Sequence, residues 1–250
     1  MEVDEIVALV SNRPAGFDSQ AAHQEKFMEF KQILPHIYQV EFEECYDLAM
    51  HFLRYQEYYE SLKFHGQIFT LVDYMEWYSK TYGKGSFTYT DDWSGFNVPS
   101  QVLIEVSEAE ISDLNKYDIQ MRSLVETIRK EEGEHKFYFI GTYKKEEDEE
   151  AAEDLPRVLD HEIGHALYFI DDDYRTSMDK LLDEMPRKNY NNAWKTLQKM
   201  RYHPSVCRDE IHAYSCTGPD KGIEKSLTPD ICAPFIKEYK KQRRRFKLDG

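Results

Sequence analysis

The run His161-Glu162-Ile163-Gly164-His165 puts two imidazoles four positions apart, with a carboxylate beside the first. On a helix that spacing projects both rings from one face, so they can share one metal ion. Neutral imidazole is a good zinc ligand, and two rings fixed on a rigid helix lose little entropy when an ion binds. A catalytic zinc takes three protein ligands and keeps one position for water. It lowers the water pKa towards ~7 and needs a carboxylate to take the proton. Glu162 is placed for that role, and the third ligand must come from elsewhere in the chain.

Cys207-Arg208-Asp209-Glu210-Ile211-His212-Ala213-Tyr214 is the best source of it. A carboxylate on a second helix can face the first, and the small Ala213 permits close packing, so Glu210 is the expected third ligand. Asp209 and His212 are rivals, but Glu210 and His212 point about 200° apart on a helix, so at most one faces the ion. His203, before Pro204, could donate to an oxyanion, although simple exposure is the commoner fate of such a residue.

A HEIGH segment followed by a helix reading Glu-x-x-Ala resembles the gluzincin type of zinc metallopeptidase, over about Phe137 to Tyr214. The resemblance implies an α+β, zincin-like fold and a Zn2+ ion held by His161, His165 and Glu210. It also implies a water nucleophile with Glu162 as general base, and a peptide or protein substrate. The strand just upstream, Phe137 to Tyr143, is then an edge strand that pairs with extended substrate. Tyr214 stands one turn after the glutamate where the family commonly has aspartate. It is expected to hydrogen-bond a ligand or to stabilise a developing oxyanion. Two other classes of function remain open: a zinc-dependent amide or ester hydrolase of a small molecule, and a non-catalytic binding or regulatory module.

The elements that must position these residues follow from periodicity. One domain over 1–250 is expected, with a mainly helical part over 1–133. Helical spacing runs through Phe27, Phe30 and Ile33, through Tyr46, Met50, Leu53 and Tyr58, and over Phe69 to Tyr82. Gly83 and Gly85 break the pattern, and Phe87, Tyr89, Val102, Ile104 and Val106 alternate as strands do, giving a β segment near 86–106. Ser112 to Lys130 reads as a long helix stopped by Gly133. Over 134–250, a strand at His135 to Tyr143 precedes a charged loop at Lys144 to Glu153. Next comes the histidine-bearing helix, capped by Asp154 with Pro156 in its first turn. Tyr174–Met185, Tyr190–Tyr202, Val206–Cys216 and Ile231–Phe246 complete a helical C-terminal part.

The remaining features have plain explanations beside functional ones. Asp171, Asp172 and Asp173 could orient a ligand or bind a cation, but a solvated turn is the simpler reading. The Tyr89–Pro99 run could shape specificity, or Trp93 and Phe96 could anchor it in the core. Tyr55 to Tyr59 read as core and rim. The basic tail at Lys240 to Lys247 suggests an anionic partner or a nuclear address, although favourable charge at a helix C-terminus explains it more cheaply.

A net charge of −15 argues against nucleic acid as a partner. Cys45, Cys207, Cys216 and Cys232 are too sparse for a disulfide scaffold and lack the short spacing of a structural zinc site. The opening MEVDEIVALV lacks the features of a secretory signal, and no stretch reaches membrane-spanning length. A soluble, cytoplasmic protein is the expectation.

Overall fold

The computed structural model describes residues 28–93, 95–144, 149–219 and 222–248. In chain order the strands are β1 (Met28–Leu34), β2 (Ile37–Phe42), β3 (Phe96–Pro99) and β4 (Tyr138–Tyr143). The helices are α1 (Cys45–Glu60), α2 (Leu71–Thr81), α3 (Ser100–Glu108), α4 (Lys116–Glu132), α5 (Glu149–Ile170), α6 (Asp172–Glu184), α7 (Arg187–Lys199), α8 (Cys207–Thr217) and α9 (Pro229–Leu248). The architecture is α+β, mostly helical with one small mixed sheet.

The strand order is β1-β2-β4-β3. β1 and β2 are antiparallel, β2 and β4 parallel, and β3 and β4 antiparallel, with Asn97 opposite Ile140. Alternate residues of a strand face opposite sides, and β4 serves a core on each. Phe137 and Phe139 face a cluster with α1 to α4, whereas Tyr138 and Ile140 face one with α5 to α9. Gly141 lets α1 lie against the sheet, because a Cβ there would come within 2.7 Å of the Leu48 and Phe52 side chains.

Three expectations from periodicity are overturned. Residues 28–34 form β1 rather than a helix: the aromatic and β-branched β2 offers a ladder, and tertiary pairing overrides helical spacing. Val102 to Val106 lie in α3, where Val102, Leu103 and Val106 are buried together, a helical face that also satisfies period two at 102 and 106. α5 begins at Glu149, so Asp154 does not cap it and Pro156 lies inside it. The expected charged loop falls partly on 145–148, outside the described residues, and its last part is helix.

The expected edge strand also needs correction. β4 lies between β2 and β3, so it is not an edge strand, and over Tyr138 to Gly141 both its sides are paired and closed to a substrate backbone. The edge nearest the histidines is β3, which has only four residues, all buried, the last a proline without an N–H.

Candidate metal centre

α5 and α8 cross closely because both are small at the contact: a Cβ on Gly164 would meet Ala213 at 3.8 Å. This packing brings His161 and His165 on α5 to Glu210 in the first turn of α8. One ligand atom from each of the three lies within 4.8 Å of the others. The histidine Nε2 atoms are 3.2 Å apart, and they lie 3.7 and 3.4 Å from Glu210 Oε2 and Oε1. A tetrahedral zinc with bonds of ~2.0–2.1 Å separates its ligand atoms by roughly 3.3–3.4 Å. Glu210 Oε2 is buried without a hydrogen-bond partner, as suits an atom awaiting a cation.

Neighbouring groups aim both rings. His161 Nδ1 is 3.2 Å from Thr217 Oγ1, whose hydroxyl donates to the Ala213 carbonyl and so leaves a lone pair for the ring N–H. His165 Nδ1 is 3.0 Å from Asp209 Oδ2. Both contacts leave Nε2 free to ligate. Burial opposes protonation of His165, but Asp209, Glu210 and Glu162 outweigh it and raise its pKa well above the usual value. Desolvation of the half-buried Asp209 would raise its pKa, yet His165 and His212 hold its carboxyl well below the usual range. The cluster is built to stabilise positive charge.

The rival ligands take other places. Asp209 sits behind His165. His212, fully buried, lies behind Asp209, with Nδ1 3.2 Å from its carboxylate and Nε2 3.0 Å from the Tyr174 hydroxyl. His203 is paired with Ser205 and stacked 4.0 Å from His65, and it does not line the cavity beside the histidines. Tyr214 does line it, with its ring 4.6 Å from that of His161 and its hydroxyl 3.5 Å from Tyr202.

That cavity measures about 220 Å³ and is bounded also by Glu162, Asn97, Gly95 and Glu60. Glu162 Oε2 accepts a hydrogen bond of 2.6 Å from Asn97 Nδ2, and Asn97 Oδ1 accepts one of 2.5 Å from the Tyr138 hydroxyl. Burial raises the Glu162 pKa. His161 and His165 partly offset this, while Glu210 adds to it. A carboxyl whose pKa is raised in this way is a stronger proton acceptor than an ordinary one.

Sequence reasoning missed Glu60, and it reached Asn97 only as one member of the Tyr89–Pro99 run, because each comes from an element far along the chain with no motif of its own. Glu60 ends α1 and reaches the cavity. Burial and the Glu210 charge raise its pKa well above the ordinary value.

The other candidates are structural. Asp171 caps α6, accepting from the Tyr174 N–H at 2.8 Å, and it also accepts from Gln242. Asp172 pairs with Arg175 and Lys136. In the basic tail, Arg243 pairs with Asp160 and Arg245 with Asp171, so its charge ties α9 to α5 and α6. Of the aromatic loop, Phe96 is core and Trp93 lines the cavity. Cys207, Cys216 and Cys232 are buried thiols outside any disulfide, and no described helix is long and apolar enough to cross a membrane.

Comparison with models of known protein families, with curated proteins and with solved structures returns no match.

Proposed function

We propose that the protein is a zinc-dependent metallopeptidase, with His161, His165 and Glu210 as ligands and Glu162 as general base. The observation that carries this reading is the meeting of two imidazole Nε2 atoms and one orphaned carboxylate at tetrahedral spacing, beside a cavity that Glu162 also faces. A zinc ion held by these residues would supply Lewis acidity for a scissile carbonyl and for the attacking water.

The remaining roles belong to the chain. Glu162 takes the proton from the attacking water and delivers it to the leaving amine. Asn97, fixed by Tyr138, holds the Glu162 carboxylate against β3. Asp209 fixes the His165 tautomer, and Tyr214, on the cavity wall, donates to the developing oxyanion.

A second reading, hydrolysis of an amide or ester in a small molecule, draws support from the short buried edge of β3, which leaves little backbone for an extended peptide. Both readings predict that purified protein carries zinc, and that Glu162→Gln keeps the zinc while losing about 10²- to 10⁴-fold in rate. A peptide-library digest run beside a panel of small amides and esters separates them. Zinc-free protein, or a Glu162→Gln variant as active as the parent, refutes both.

A further inference from the structure

Beside the 220 Å³ cavity lies a larger one of about 620 Å³. The two share Gln56, Glu60, Trp93 and Tyr202, so they adjoin along these side chains. The walls of the larger cavity include Tyr74, Trp77, Tyr78 and Tyr82. Their faces carry the negative end of the ring quadrupole and attract cations.

The polar lining includes three acids, Glu57, Glu60 and Asp92. Glu57 and Glu60 follow one another at i, i+3 on α1, so both project to this side, and Glu57 is only 8% exposed. Neither carboxylate forms an ion pair with a lysine or arginine among the described residues. Gln56 Oε1 is buried without a hydrogen-bond partner at the same wall. The cations at this cavity, Lys84 and Arg201, are exposed at its rim, where solvent screens them. Arg201 stacks its guanidinium on the Tyr82 ring, 3.9 Å from the centroid, and the exposed Lys63 Nζ lies 5.4 Å from that of Trp77, so these rings already hold cations at their outer faces.

An apolar guest would leave the Gln56 amide oxygen stranded, and an anionic one would face the buried Glu57 and the half-buried Glu60. A guest with an apolar stem and a cationic head bearing several N–H donors satisfies the rings, the amide oxygen and the acids together. We infer that the larger cavity is a substrate side-chain subsite that takes lysine or arginine. Its place in catalysis rests on the metallopeptidase reading, but its binding chemistry does not.

The test titrates the full-length protein with Nα-acetyl-arginine amide and Nα-acetyl-lysine amide, following the fluorescence of Trp77 and Trp93 on the cavity wall. Nα-acetyl-citrulline amide serves as the neutral isostere of arginine, and norleucine amide carries a free α-amine on an uncharged side chain. The blocked arginine and lysine probes should bind at least ~10-fold more tightly than citrulline. Glu57→Gln and, separately, Trp77→Ala should each weaken arginine binding by ~10-fold, with thermal melts showing that both variants fold.

Equal binding of arginine and citrulline overturns the subsite. Norleucine amide binding as well as arginine also overturns it, placing the cation preference at a substrate N-terminus. A library digest keeps the two readings apart. Cleavage with no basic residue beside the scissile bond sinks the subsite and spares the peptidase. Tight arginine binding with no cleavage of any peptide supports the subsite and sinks the peptidase.

Discussion

At the scale of single residues, His165 draws its orientation from Asp209, not from the metal position itself. Asp209 is in turn buttressed by His212 and Tyr174. Asp209→Asn keeps the shape but weakens the hold on the ring N–H, and zinc affinity should fall by about 10- to 100-fold in a chelator competition. An unchanged affinity would mean that His165 is aimed by packing alone. Glu57 gives a second prediction at this scale. Burial pushes its pKa up from 4.5 to about 7, against hydrogen bonds from Tyr74, Ser61 and Tyr89. A folded pKa above the unfolded one means that the fold prefers the proton. The stabilisation is complete below ~4.5 and lost as pH rises through ~7. Glu57→Gln mimics the protonated acid, so the loss of stability between pH 4.5 and 8 should shrink by about 3 kcal/mol in urea titrations. A variant with the parent's pH profile would show that Glu57 is not the group responsible.

At the scale of elements, the site depends on close approach at two contacts. α1 can carry Glu57 and Glu60 to the cavities only because Gly141 leaves room for Leu48 and Phe52 against β4. Gly141→Ala should therefore destabilise the protein by about 1–3 kcal/mol, as overpacking of a tight core does. Gly164→Ala, where the new methyl makes ordinary 3.8 Å contact with Ala213, should cost far less. Equal denaturation midpoints for the two variants would refute this account of the packing. The α5 to α6 corner has its own device in Asp171, which caps α6 and holds Gln242 of α9. Its replacement by alanine should cost about 1 kcal/mol for the cap alone, read from the same titrations.

At the scale of the whole molecule, the proposed ion would tie α5 to α8, both of which belong to the core on one side of the sheet. A ligand present at 1,000 times its Kd stabilises the folded state by about 4 kcal/mol. For a chain of this length each kcal/mol moves Tm by ~2–4 °C. Stripping zinc with a chelator should thus lower Tm by roughly 8–16 °C, and added zinc should restore it. A melting curve indifferent to chelator would argue that no ion occupies the cluster.

The meeting of His161, His165 and Glu210 was legible from the amino-acid order. The histidine spacing, the carboxylate beside it, the later glutamate and the small Ala213 are relations within one helix or between two with strong patterns. Helical period alone places both imidazoles on one face. The long helices were legible for the same reason, whereas β1 and α3 were not. A short apolar run satisfies two periods at once, and the choice falls to whatever strand or sheet it meets. Tertiary structure alone decided that β4 is interior and that β3 borders the site. It also decided that Asn97 meets Glu162, that Asp209 backs a histidine instead of ligating, and that α1 supplies Glu57 and Glu60. Each of these is a contact between segments far apart in the chain, set by how the two cores close on one sheet, and no spacing in the sequence encodes it.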